Sequence, residues 1–336
     1  FNPFLLTNLT ESEQCAALVQ STAKHKAHAI FVYAQMLYVI PSMMFIKFLL
    51  VALICGKYSK SRYASIFYTL IAMAAWTAVL SHLPRAVFEF IAKKPAWFCP
   101  TFKALSQPNW WLDIYVYVLQ VWDTLRALAA TLIVLYRFHS FLDVHAAKRL
   151  WEHHKTLIIL ATIALPMVLF APIWLTPSKA VIEDAEMVFE NEGVRWFNKE
   201  AMHCLICTLC AILVLASEAY LILTDKHVND EVDHALDIVG KVEIIVITIY
   251  AFFQVVPFFT RHLVPTRFHY SSLLVSDALG FAPLWALYLI STHIREDATP
   301  FRHLFAKCCK CCRMKADRPP KEVEAESEHQ KSISMI

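Results

Sequence analysis

The sequence predicts an all-α integral membrane protein: a seven-transmembrane helix bundle followed by a short amphipathic C-terminal helix. Seven apolar stretches, 29–54, 64–91, 110–136, 156–176, 201–223, 242–260 and 271–293, divide almost the whole chain. A hydrocarbon core about 30 Å thick needs about 20 apolar residues at a rise of 1.5 Å each, and every stretch meets that length to within a few residues. Composition agrees, with 58% hydrophobic and 18% charged residues and a mean hydropathy of +0.47. Soluble domains run near 45–50% and about 25%. An odd number of crossings leaves the two ends on opposite faces, as a device needs that senses on one side and reports on the other.

The chain divides into an extracellular N-terminal segment (1–28), the bundle (29–293) and a cytoplasmic tail (294–336). The leader mixes polar and apolar residues, and no signal peptide is expected in it. Asn8-Leu9-Thr10 is a glycosylation sequon, usable only on the lumenal side. The first span carries Pro41. A turn at 57–62 leads to the second, where Pro84 lies beside Arg85 and Glu89, four apart and able to pair on one face. The segment 93–108, with Pro95, Pro100 and Pro108, should be irregular. It holds Cys99, which with Cys15 forms the one cysteine pair expected outside, a candidate disulfide in an oxidising lumen.

The third span contains Asp113, Tyr115 and Tyr117 near its outer end, Asp123 and Arg126 in its middle, and Arg137 at its inner end. Residues 143–155 place Val144, Ala147, Leu150 and Trp151 at helical spacing, which predicts an interfacial helix. Pro166 and Pro172 interrupt the fourth span. The loop 177–200 is acidic, with Glu183, Asp184, Glu186, Glu190, Glu192 and Glu200, and reads first as a solvated loop over the outer mouth. It has no cysteine, so no disulfide can join it to the third span. Cys204, Cys207 and Cys210 share a rough face of the fifth span and read as small apolar residues. Glu243 opens the sixth span, and Pro257 is the proline expected to move. Asp277 lies about two turns into the seventh, with Pro283 beyond it.

Past the last span, Pro300, Phe301, Leu304 and Phe305 with basic neighbours predict a membrane-lying helix. Cys308, Cys309, Cys311 and Cys312 then follow and are candidates for palmitoylation, favoured over zinc because no second ligand pair stands at a suitable distance. Residues 317–336 have the composition of a disordered tail.

Orientation rests on the tail. Inner and outer loops hold nine and ten basic residues, which decides nothing, but the tail adds nine more beside and beyond the last span. With the sequon and the cysteine cluster, this places the N-terminus outside and the C-terminus inside.

Ionisable residues within spans are costly and are functional candidates by default. Arg85, Glu89, Asp113, Tyr117, Gln254 and Asp277 are candidates for an outward-opening ligand pocket, with Trp110, Trp111 and Phe253 as apolar walls. Asp123 with Arg126 reads instead as a structural pair, while for Asp277 the structural and ligand-binding readings stay open. At the inner face Arg137 and Glu243 are placed to meet and hold an inactive state, with Pro257 as the hinge, though inner-leaflet arginines also serve as plain end-caps.

Other classes are disfavoured. Only four glycines occur, one of them, Gly280, well inside a span. That implies looser, side-chain-mediated packing and counts against a transporter built on small-residue seams. No repeat or inverted symmetry relates the two halves. A net charge of +3 without a basic stripe gives no case for nucleic acid. No catalytic motif, metal cluster or cofactor loop is present, His153-His154 included, so neither an enzyme nor a cofactor is expected.

Four landmarks are family-like: Tyr38-Val39-Ile40-Pro41-Ser42, Ser65-Ile66-Phe67-Tyr68, Tyr136-Arg137-Phe138, and Trp151 followed by Pro166. Through them the chain resembles the nematode serpentine chemoreceptors, most nearly the class gamma group, by motif in its first half and by topology in its second. It departs from the receptors of larger animals, lacking D-R-Y at the third span and N-P-x-x-Y in the seventh, where Ala282-Pro283 and Tyr288 stand. The resemblance implies a G-protein-coupled chemosensory receptor in the plasma membrane, concentrated in sensory-neuron cilia. Its partners would be a small-molecule ligand, a heterotrimeric G protein and membrane lipid. Arg137 and the inner ends of the third and sixth spans carry over as coupling candidates. A transporter or ligand-gated channel is the rival.

Overall fold

The computed structural model describes residues 26–54, 65–92, 104, 107, 109–175, 177–183, 186–191, 197–224, 234–259 and 266–290. Within these, only the backbone is described for 26–32, 51–54, 85–92, 180–191 and 266–270. Asn8, Cys15, Cys99, the tail cysteines, the C-terminal helix and the side chains of Arg85 and Glu89 lie outside the described residues.

Seven helices are long and apolar enough to cross a membrane. In chain order the helices are α1 (Lys26–Ile54), α2 (Ser65–Ala92), α3 (Trp110–Leu142), the short α4 (Val144–His153), α5 (Lys155–Phe170), α6 (Lys199–Leu223), α7 (His234–Phe259) and α8 (Thr266–Ile290). Helix α3 is the axis of the bundle, packing against every other helix except α1. Large apolar side chains such as Leu37, Leu160, Val168, Leu213 and Leu289 are exposed, while a mainly apolar interior also holds His82, Arg126, Arg137, His203, Glu243 and Asp277. An apolar exterior with ionisable groups turned inward is expected where the surrounding solvent is hydrocarbon.

Polar residues set the helix boundaries. The Asn109 side chain accepts from Trp111 N at 3.0 Å and starts α3. Asp143 ends α3 and caps α4, accepting from Ala146 N at 2.9 Å. Asn198 caps α6 through the N–H groups of Glu200 and Ala201. These are the residue types that satisfy orphan donors at a helix start.

Helix α4 forms where the sequence predicts a short amphipathic helix. Ala147 and Trp151 are its buried residues, whereas Leu150 of the same stripe is exposed. Trp151 packs edge-on against Tyr136 with ring centroids 5.5 Å apart. Glu152 pins α4 to the start of α2, accepting from both the backbone N–H and the hydroxyl of Ser65.

Three departures from the sequence reading have local causes. The sixth span begins at His234 rather than near 242, because its charged first turns are paired: Lys241 bonds Asp237 at 2.7 Å. The acidic loop contains an antiparallel hairpin, β1 (Ser178–Glu183) with β2 (Glu186–Asn191), in register at Val181↔Val188. The fourth span closes in a 3₁₀ turn, Ala171–Leu175. Pro172 has no N–H to give Val168 O, so Ala171 N bonds that carbonyl instead. This frees Met167 O, which Tyr117 caps from α3 at 2.9 Å.

Packing is not loose where glycine is present. A Cβ on Gly280 would fall 2.5 Å from Ala78 Cβ and 2.9 Å from Ala74 O. Alanines of α2 thus supply the small face that lets α8 approach closely.

Candidate functional site: a polar layer and an arginine latch

A polar layer crosses the middle of the bundle. Asp277 of α8 accepts from Gln35 Nε2 at 2.8 Å and from Tyr38 Oη at 2.6 Å, both on α1. His82 Nδ1 of α2 stands 3.9 Å from the same carboxylate. Arg126 Nη1 of α3 stands 4.0 Å away on its other side. Arg126 also donates to Ser276 O at 3.0 Å, to Ser81 Oγ at 3.1 Å and to Asp123. Four helices are thereby pinned around one guanidinium. Its five donors in a fixed fork suit a site with several acceptors, and such a charge survives burial only when paired.

On the other side of α3, His203 of α6 bridges Thr124 Oγ1 at 3.0 Å and Tyr250 Oη of α7 at 2.9 Å. Cys207 lies one turn on, 3.6 Å from the imidazole, and Cys204, Cys207 and Cys210 are buried free thiols. The layer therefore joins every crossing helix except α5.

Exposure separates the two acids facing Arg126. The Asp277 side chain is 2% exposed and Asp123 is 23% exposed. Asp277 is enclosed, its Oδ2 bonded from α1 and its Oδ1 without a hydrogen-bond partner among the described residues; Asp123 is the more exposed member of the layer.

At the end of the bundle that carries α4, Arg137 is wholly buried between two other helices. It donates to Glu218 of α6 and to Asp237 of α7, the latter at 2.7 Å from Nη2 and 3.0 Å from Nε. Its guanidinium carbon lies 4.9 Å from the Phe141 ring centroid. Gly240 makes the crossing possible: a Cβ there would fall 2.0 Å from Arg137 Cδ. Any side chain at 240 would occupy the path of the arginine stem.

The expected contact between Arg137 and Glu243 is not formed. Glu243 is buried one turn further along α7, and neither carboxylate oxygen has a hydrogen-bond partner among the described residues. Glu218 and Asp237 stand nearer the helix ends and take the arginine. Sequence reasoning missed both, although Glu218 was detectable as an acid inside a span and Asp237 was hidden by a boundary drawn too late.

Among the described outer candidates, Asp113, Tyr117 and Gln254 each meet a different partner. Asp113 turns to the hairpin, its Oδ1 accepting from Ser178 N at 2.6 Å, while Asn109 N donates to Ser178 O at 3.3 Å. A carboxylate latch therefore joins the cysteine-free loop to α3. Tyr117 faces α5, its ring 5.3 Å from Trp174. Gln254 reaches Ser272 at 3.5 Å, linking α7 to α8. Trp110 and Trp111 stack on each other at 3.8 Å and are exposed, as in an interfacial aromatic belt rather than a pocket wall. Pro257 lies within an unbroken α7.

Seven membrane-length helices around a central, polar-cored third helix define a serpentine membrane protein. The profile of the Srg family chemoreceptors matches residues 32–298. The chain belongs to that family of nematode serpentine receptors, and the match takes in all seven spans, including the second half that motifs alone did not reach. No curated protein is similar enough to the chain to count as a match. Family membership makes this a chemosensory receptor of the serpentine class, held in a membrane by its seven helices.

Proposed function

We propose that the protein binds a small external molecule in the hairpin-end half of the bundle and signals to a heterotrimeric G protein at the α4 end. The observation that carries this is the Arg137 latch, which ties α3 to α6 and α7 where those helices would have to part to admit a partner. The N-terminus and the hairpin lie outside the plasma membrane and α4 lies in the cytoplasm, in keeping with the basic tail. Asp123, rather than Asp277, is the carboxylate that meets ligand, because its side chain is the more exposed of the two. Arg85, Glu89 and Gln254 remain rim candidates. A ligand that draws Asp123 away perturbs Arg126 and, along α3, the latch. The shift it causes is bounded by its differential affinity for the two states.

The test is basal nucleotide exchange on a panel of purified G proteins with the receptor in lipid nanodiscs. Asp237→Asn with Glu218→Gln should raise basal exchange by about 5-fold or more, the lower range of allosteric coupling energies. No rise with any G protein, or solute flux through liposomes that contain the receptor alone, would overturn the reading in favour of a transporter or channel.

A further inference from the structure

An apolar groove of about 510 Å³ lies between α3, α4 and α5 at the α4 end. Its walls are Leu135 and Phe138 of α3, Leu150 and Trp151 of α4, and Leu157 and Ile158 of α5, with His139 and His154 also lining it. The cause is visible in α5. Its buried residues, Thr162, Pro166 and Phe170, fall at one-turn intervals in the hairpin-end half. The other half of α5 has none, so it stands away from α3. Walls on three helices leave an open groove with an almost wholly apolar lining.

Charge around the groove is mainly basic. Helix α4 and its end present exposed His145, Arg149, His153 and His154, with Lys148 among them. The two acids at this helix are engaged locally: the exposed N-cap Asp143 accepts from Ala146 N, and Glu152 is turned onto Ser65. Trp151 Nε1 donates to His139 Nδ1 at 3.2 Å. An indole nitrogen can only donate, so Nδ1 accepts and the imidazole proton sits on Nε2, a donor left for a ligand oxygen.

We infer that this groove is a binding site for one anionic phospholipid of the leaflet at the α4 end, an acyl chain filling the gap and the headgroup meeting the cationic face of α4. Tail packing supplies fit, since a chain leaving lipid for the groove gains no hydrophobic transfer. The basic side chains supply selection, as juxtamembrane cations do for anionic lipid.

Native mass spectrometry of the full-length receptor, released from nanodiscs holding equal phosphatidylserine and phosphatidylcholine of the same chains, tests this. The wild type should retain one phosphatidylserine at about fivefold or more over phosphatidylcholine, the preference that one cation near the surface confers. Leu157 is 65% exposed and Leu160 59%, so tryptophan is tolerated at either. Leu157→Trp should fill the groove and lose the lipid, while Leu160→Trp, off the groove, should keep it. Arg149→Glu with His154→Ala should bring the two lipids to parity. Equal retention of both by the wild type, unchanged retention in Leu157→Trp, or displacement by an equal amount of cholesterol would each overturn the assignment.

Discussion

Arg126 and Arg137 sit on one helix and are both buried, yet the two regions around them are built to different ends. Around Arg126 the acceptors are a backbone carbonyl, a serine hydroxyl and the Asp123 carboxylate, and the Asp277 carboxylate, itself bonded to α1, stands 4.0 Å away. Losing any single partner leaves the others in place. Around Arg137 the acceptors are two carboxylates on two separate helices, 19% and 18% exposed. If α6 or α7 moves outward, those acids meet water and their loss is partly compensated. Burial of the charge is common to both and does not separate a rivet from a latch. The kind of partner does: Arg126 keeps a backbone carbonyl and a hydroxyl beside Asp123, whereas Arg137 has carboxylates alone, on two separate helices.

The largest effect should come from removing the rivet. Arg126→Leu leaves Asp277 and Asp123 facing an apolar gap, and breaking a buried pair from one side costs about 3–5 kcal/mol. We expect loss of the folded receptor, read by fluorescence-detected size exclusion; a well-folded, ligand-responsive Arg126→Leu receptor would break the distinction.

A smaller, different effect is expected at the latch. Gly240→Ala pushes on Arg137 Cδ without touching a charge. Overpacking of this size costs about 1–3 kcal/mol, which should appear as a lower Tm in thermal denaturation together with raised basal exchange. A lower Tm with unchanged basal exchange would make Arg137 a second rivet.

The smallest effect is predicted beside the latch, at Asp143. The Ala146 backbone N–H bonded to its carboxylate holds its pKa below the usual value. A lowered folded-state pKa means the cap's contribution to α4 is complete above the ordinary carboxylate range and is lost as pH falls through the lowered value. Protection of the α4 amides, measured relative to intrinsic exchange rates, should therefore hold in mild acid and fall only as pH drops below the ordinary carboxylate range, and Asp143→Ala should remove that pH dependence while leaving the Arg126 region unchanged.

Much of the fold was legible in the residues. The seven spans, the short helix after Asp143 and the ionisable positions at 123, 126, 137 and 277 follow from length, caps and the cost of charge in hydrocarbon. The candidate site was legible only in part. Asp113 and Tyr117 looked like pocket residues because they lie at the outer end of α3, but each has a structural acceptor or donor elsewhere. Neither need was visible beforehand. Ser178 N depends on where the hairpin lands, and Met167 O is freed by a proline on another helix.

The sequence by itself determined how many helices are long and apolar enough to cross a membrane and where most of them begin, because hydrophobic length and capping are local properties; the sixth, whose charged first turns precede its apolar stretch, is the exception. Tertiary structure alone decided which carboxylates Arg137 meets, which of Asp123 and Asp277 is the more exposed, and why Glu243 does not meet Arg137. Spans that are apolar on both faces carry little periodic signal to tell core from lipid. The rotation and depth of each helix are then set by contacts such as Gly240 under Arg137 and Gly280 against Ala74, which no single segment contains.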